Sequence, residues 1–97
     1  MANNIQYKLE NNGTEFCAYS DNQEIGDITF VKTGDSTLII DHTGVDARYK
    51  GQSIGTELVR QVVKLARKEN KKIIPLCPFA RAVFQKHPEF NDVLTRA

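Results

Sequence analysis

The sequence predicts an α+β domain with a mixed sheet: a four-stranded antiparallel meander, a helix, a fifth strand parallel to the fourth, and a C-terminal helix. Three observations carry this. Four strand-like apolar segments follow one another before Asp46, separated only by turn-type dipeptides. From Ile54 onward the apolar residues change to a helical period. A short apolar run, Lys72-Ile73-Ile74-Pro75-Leu76, follows that helix, and a helix between two strands marks a parallel β-α-β unit.

The elements follow in order. Ile5 to Glu10 alternates apolar and polar residues, as a half-buried strand does. Asn12-Gly13 suits a tight hairpin turn because both residues tolerate positive φ. Glu15 to Ser20 is the returning strand, with Cys17 as a small apolar filler, and Asp21-Asn22 is the next turn. Ile25 to Lys32 is the third strand, in which Gly26 marks a bulge or a close approach. Gly34-Asp35 turns the chain into a fourth strand from Thr37. Further on, Ile54, Leu58, Val62 and Leu65/Ala66 share one helical face, and Asn70 is positioned as a C-cap. Pro78 opens a second helix, from about Phe79 to Lys86, which Pro88 ends. Phe90 to Leu94 adds one more turn. No linker, repeat or low-complexity tract interrupts the chain, so residues 1–97 read as a single domain.

Composition narrows the function classes. The chain of 97 residues is 40% hydrophobic and 26% charged, with no apolar run long enough to span a membrane. Its first residues are polar and lack signal-peptide architecture. Two cysteines, Cys17 and Cys77, are too few for a disulfide framework and have no zinc-ligand spacing, so no metal is expected and a reducing cytoplasm fits best. The net charge of +1 conceals an asymmetry. Residues 1–47 carry two Lys/Arg against eight Asp/Glu, and residues 48–86 carry ten against two. The basic segment is either a solvated helix face or a site for a polyanion. Nucleic acid is disfavoured, since that segment has few aromatics for base stacking and the whole domain is not strongly basic.

The stretch from Val45 to Thr56 joins the two halves. Gly51, Ser53, Gly55 and Thr56 are small, so the backbone can curl around a bulky anion. A helix opening at Ile54 presents N–H groups without intrahelical acceptors, at the positive end of its dipole. Together these make a phosphate site. It is not a Walker loop, because Gly55 is followed by Thr56-Glu57 with no lysine, and Gly51 and Gly55 do not supply Gly-x-Gly-x-x-Gly.

Lys50-Gly51-Gln52-Ser53-Ile54-Gly55 resembles the pyrophosphate loop of the GNAT N-acetyltransferases, Arg/Gln-x-x-Gly-x-Gly/Ala, with Lys50 and Ser53 as departures. Pro75-Leu76-Cys77-Pro78-Phe79, His87-Pro88-Glu89-Phe90 and His42-Thr43 are similar to motifs of a small single-domain subgroup of that superfamily. The similarity covers roughly residues 25–94. The resemblance implies a GNAT-like fold in which strand four, Thr37–Val45, and strand five splay apart. It further implies acetyl-CoA or coenzyme A as cofactor, with pantetheine bonding to backbone near Val45. The pyrophosphate would lie on the N–H groups of Gly51, Gln52, Ser53, Ile54, Gly55 and Thr56, with charge from Lys50 and Arg48.

Two departures bear on catalysis. Larger family members place two helices between their first two strands, where this chain has Asn12-Gly13, which implies an open acceptor site. Many also use a tyrosine on the last helix to protonate the departing thiolate, and the nearest aromatic here is Phe84. Cys77 is the candidate replacement, as nucleophile, acid or partner in a mixed disulfide. Its alternative is an inert buried thiol. His42 is a candidate general base, since imidazole titrates near neutral pH. Because it alternates with Leu38 and Ile40, a satisfied core or sheet histidine is its alternative. His87 reads as a turn residue. The leading function is transfer of an acyl group, acetyl above all, from acyl-CoA to an amine whose identity stays open (small amine, peptide amino terminus or protein lysine). A CoA-binding module without efficient transfer comes second, and a small nucleic-acid-binding domain third. So open a pocket also leaves room for completion by a second copy in a homodimer.

Overall fold

The computed structural model describes residues 4–95. Its elements are β1 (Ile5–Glu10), β2 (Glu15–Ser20), β3 (Gln23–Thr33), β4 (Thr37–Val45), a 3-10 turn (Ala47–Tyr49), α1 (Ile54–Glu69), β5 (Lys72–Pro75), α2 (Pro78–Lys86) and a second 3-10 turn (Pro88–Val93). The five strands lie side by side in sequence order. The first three pairings are antiparallel and β4–β5 is parallel.

The turns form because their residues accept the left-handed region. Asn11, Asn12 and Gly13 have φ of 53°, 54° and 86°, and Asp21-Asn22 have 50° and 67°. Asn70 ends α1 at φ 62°, its N–H bonding to the carbonyls of Ala66 and Arg67.

The core lies on one side of the sheet. Phe16, Ala18, Ile28, Phe30, Leu38, Ile40 and Ile73 face Leu58, Val59, Val62, Val63 and Ala66 of α1. Each large side chain so buried contributes about 1.5–3 kcal/mol. The expected stripe on α1 is there but wider, because Val59 and Val63 join it while Leu65 stays half-buried. Helix α2 packs on the same side through Ala80, Val83 and Phe84, and Phe84 meets Phe90 edge-on at 5.9 Å. Arg67 ties the last turn to α1, with its Nε and Nη2 each 2.9 Å from an oxygen of Asp92. The molecule is therefore two layers thick, 37 × 29 × 19 Å, and the second face of the sheet carries no helix among the described residues.

Two bulges set which side chains face which way. In β2–β3 the register slips between Ala18 and Tyr19, so Ala18 pairs with Gly26 and Tyr19 with Glu24, leaving Ile25 extra. A Cβ on Gly26 would lie 2.9 Å from the carbonyl oxygen of Gly44, so bulge and close approach coincide there. Gly26→Ala is expected to cost about 1–3 kcal/mol, because backbone must move to admit the methyl. Urea unfolding measures this, and an unchanged midpoint would contradict the packing. In β3–β4, Thr29 pairs with His42 and Phe30 with Ile40, which leaves Asp41 extra. That residue reverses the alternation of β4: Thr43 and Val45 join the core face, and His42 leaves it.

Candidate functional site: the cleft between β4 and β5

Strand β5 pairs with β4 only from Thr37↔Lys72 to Ile40↔Pro75, although β4 runs on to Val45. The N–H groups of Leu76 and Cys77 both donate to the Ile40 carbonyl, at 3.0 and 3.1 Å, and pull the chain off the ladder one residue earlier than expected. Beyond Ile40 the β5-facing edge of β4 has no strand partner among the described residues. The gap opens into a cleft of about 640 Å³. Thr43 and Val45 form its strand side, Tyr49, Lys50, Gly51 and Ser53 its loop, Ile54, Gly55 and Thr56 the start of α1, and Phe79 of α2 its opposite lip.

Local chemistry explains the loop. Asp46 caps the 3-10 turn by accepting from the Arg48 N–H at 2.9 Å. Gly51 sits at φ 85° and Ser53, the N-cap of α1, at φ 63°. A left-handed conformation costs a residue with a Cβ about 1–2 kcal/mol, which is the physical reason a glycine suits the Ser53 position. The Ser53 side chain makes no capping hydrogen bond, and its carbonyl accepts the Glu57 N–H at 3.0 Å. The N–H groups of Ile54, Gly55 and Thr56 precede the first intrahelical bond and border the cleft. Gly55 lies close under its neighbour: a Cβ there would lie 2.6 and 2.8 Å from atoms at the far end of the half-exposed Phe79 ring.

Charge is less concentrated on the cleft than the sequence leads one to expect. Arg48 grips Asp46 through Nε at 3.1 Å and Nη2 at 2.9 Å. That fork pulls the Asp46 carboxyl down to about 2. Arg60 and Arg67 pair with Glu57 and Asp92. Lys50 is the one Lys or Arg among the described residues that line the cleft. Gln52 is exposed in the loop but is not one of those lining residues.

Cys77 is the N-cap of α2, with its Sγ 3.7 Å from the Thr43 hydroxyl. It is 9% exposed and lies directly behind the cleft wall that Thr43 forms. Burial pushes the thiol up, but the amide of Ala80, the Thr43 hydroxyl and the amides of Phe79 and Thr43 outweigh it, and the net shift is downward. Cys17 is the opposite case. It is buried, as a small filler should be, but on the far face of the sheet beside Glu15 and Glu24 rather than in the main core cluster. Burial and those carboxylates push its thiol up to about 12, which leaves it protonated near neutral pH.

His42 corrects the expectation of alternation with Leu38 and Ile40. The Asp41 bulge places it on the bare face, its side chain 57% exposed and Nε2 3.4 Å from Oδ1 of Asp27. It is not a core histidine, and Cys77 and His42 stand on opposite sides of the sheet, with Thr43 next to one in sequence and in contact with the other. His87 stacks on Phe90 at 5.3 Å and faces Glu89, a turn residue as expected. Phe84 is buried core. Tyr49, Thr43 and Phe79 are cleft residues that sequence reasoning did not single out. Phe79 had a signal in the Pro-Leu-Cys-Pro-Phe run and Thr43 in His42-Thr43, whereas Tyr49 had none.

Comparison with known proteins bears on this geometry. A family described as GCN5-related N-acetyl-transferase matches residues 15–93. Among solved structures, a GCN5-like candidate N-acetyltransferase from Staphylococcus aureus is 33% identical at a TM-score of 0.77, covering 100% of this chain and 93% of its own. Ard1 from Thermoplasma volcanium is 17% identical at a TM-score of 0.67 and shares the fold over 78% of this chain, which spans only 55% of it. A candidate streptothricin acetyltransferase from Bacillus anthracis, solved with acetyl coenzyme A, is 27% identical at a TM-score of 0.57 over 63% of this chain and 36% of its own. No curated protein matches. The family match spans most of the chain, including the parted strands and the loop between them, and this protein belongs to the GCN5-related N-acetyl-transferase family.

Proposed function

We propose that this protein transfers an acetyl group from acetyl-CoA to an amine, and that the β4–β5 cleft is where it does so. The observation that carries the reading is the continuity of an unpaired strand edge, beyond Ile40, with a helix N-terminus that offers free donors. An extended pantetheine would bond to the β4 edge near Val45. The pyrophosphate would rest on the N–H groups from Gly51 to Thr56, with Lys50 supplying charge. This places the thioester beside Thr43 and Cys77. An amine approaching from the bare face would meet His42, with Asp27 beside it to stabilise the imidazolium that forms. As the tetrahedral intermediate collapses, the C–S bond breaks and Cys77 gives its proton to the departing thiolate. The downward shift of Cys77 makes it a stronger acid than an ordinary thiol, which favours that transfer. Solvent then reprotonates Cys77.

Incubation with acetyl-CoA and a panel of amines, following release of free thiol, tests the reading. Release that depends on amine supports it. A second reading, coenzyme A binding without transfer, is favoured by Phe84, the aromatic of α2 nearest to the expected acid, which is buried and has no hydroxyl to protonate a thiolate. Binding without amine-dependent release would select it. Salt gives a further expected result. With Lys50 the one cation lining the cleft, coenzyme A affinity should fall only about two- to fivefold from low to physiological ionic strength, since an exposed charge pair contributes ~1 kcal/mol or less. Calorimetric titration at several salt concentrations measures it, and a far steeper loss would mean that the basic face of α1 binds the ligand.

A further inference from the structure

We propose that the Thr43 hydroxyl carries the proton from Cys77 to the departing sulfur, so that Thr43 is the side chain in contact with the reacting atom. The inference rests on the transfer reading and deepens it. Cys77 is buried and is not one of the described residues that line the cleft, whereas Thr43 is. The bulge at Asp41 turns Thr43 to this side of the sheet. The bonds of the Leu76 and Cys77 N–H groups to the Ile40 carbonyl hold the start of α2 against it. Between the two residues the Cys77 thiol donates to Oγ1 of Thr43 at 3.7 Å.

A buried acid needs a path by which its proton leaves and another returns. The groups that hydrogen-bond to the Cys77 sulfur are the amides of Ala80, Phe79 and Thr43 and the Thr43 hydroxyl. A backbone N–H donates to a thiolate but accepts nothing. A hydroxyl accepts through its lone pairs and donates through its O–H at the same time. Of these four groups, only the Thr43 hydroxyl can both take a proton and give one. The step then balances. As the C–S bond of the tetrahedral intermediate breaks, the S–H bond of Cys77 breaks with it, and that proton joins Oγ1 of Thr43. The hydroxyl's own proton passes to the departing sulfur. Coenzyme A leaves as the thiol, Thr43 is unchanged, and Cys77 is left as a thiolate held by the three amides. Water entering the emptied cleft returns a proton to Cys77 by the same path in reverse.

Substitution at Thr43 separates this relay from packing. The full chain is assayed with acetyl-CoA and an amine for release of free thiol, and circular dichroism checks that each variant is folded. Thr43→Ser keeps the hydroxyl and should hold kcat within about threefold of the unaltered protein. Thr43→Val keeps the shape without the hydroxyl and should lower kcat about 10²-fold, the lower end for a positioned acid, with the loss in kcat rather than in acetyl-CoA KM. Thr43→Ala leaves room for a water to bridge the same two sulfurs, and should recover about tenfold over valine. A residue that only filled the cleft wall would give the opposite order, because valine fills the space of threonine and alanine leaves a gap. Combining Thr43→Val with Cys77→Ala should cost no more than Cys77→Ala alone, since members of one path are not additive. Valine equal to or above alanine, serine no better than alanine, or a double variant well below Cys77→Ala overturns the relay and leaves the transfer reading standing. The transfer reading fails separately: unaltered protein that releases no thiol with any amine removes that chemistry and the relay with it.

Discussion

Gly55→Val should abolish coenzyme A binding, with at least a hundredfold loss of affinity, about 2.7 kcal/mol, while the domain stays folded. Two effects act together. The position lies on the cleft wall within the first turn of α1, where the pyrophosphate must come close to backbone N–H groups. Its Cβ would also stand 2.6 Å from the Phe79 ring, driving that ring toward the space the ligand needs. Folding should survive because Phe79 is 43% exposed and its ring can swing outward, at a cost of about 1 kcal/mol. Adding Phe79→Ala to Gly55→Ala separates the two effects: recovery of affinity assigns the loss to the displaced ring, and none assigns it to the filled cradle. Gly55→Val with wild-type affinity would mean the phosphate site lies elsewhere.

Cys77→Ala and Cys77→Ser should bind acetyl-CoA normally and lose turnover by about 10²–10⁴-fold, the usual contribution of a positioned acid. Serine keeps a hydrogen-bonding group beside Thr43 but is far too weak an acid to protonate a thiolate. The pH dependence carries a sign. An acid must hold its proton, so turnover should fall as pH rises through the thiol's pKa, which lies below the ordinary value of 9. That alkaline limb should vanish in Cys77→Ser. Near-normal transfer by Cys77→Ala would reduce the thiol to cleft packing. An acetyl-enzyme trapped on Cys77 in mass spectra would convert its role from acid to nucleophile. Oxidised coenzyme A offers a chemical check, since a thiol at the cleft should form the mixed disulfide while Cys17, held protonated, should not.

Most of the fold was legible in the sequence because local chemistry decides it. Asn12-Gly13, Asp21-Asn22 and Asn70 mark left-handed positions by residue type, and the apolar period of α1 marks its buried face. The parting of β4 from β5 was expected from the family resemblance alone, and the structure shows the strands pairing only as far as Ile40 and Pro75. What stayed hidden depends on single insertions and long-range contacts. Asp41 has no compositional mark as a bulge, yet it moves His42 to the far face and turns Thr43 toward Cys77. Phe79 meets Gly55 from 24 positions further along the chain, and Arg48 is taken up by Asp46, which a count of charges does not reveal. The second face of the sheet, open among the described residues, had no mark in the sequence. Its crowding of carboxylates required the strand register.

The measurement that bears most directly on the central claim is an NMR titration of the isotope-labelled full chain with acetyl-CoA. The account predicts saturable shifts at Thr43 and Val45, from Lys50 to Thr56, and at Cys77 and Phe79, with the Gly55→Val protein silent under the same conditions. No shifts at low ionic strength, or shifts confined to the exposed basic face around Lys64 and Lys68, would contradict it.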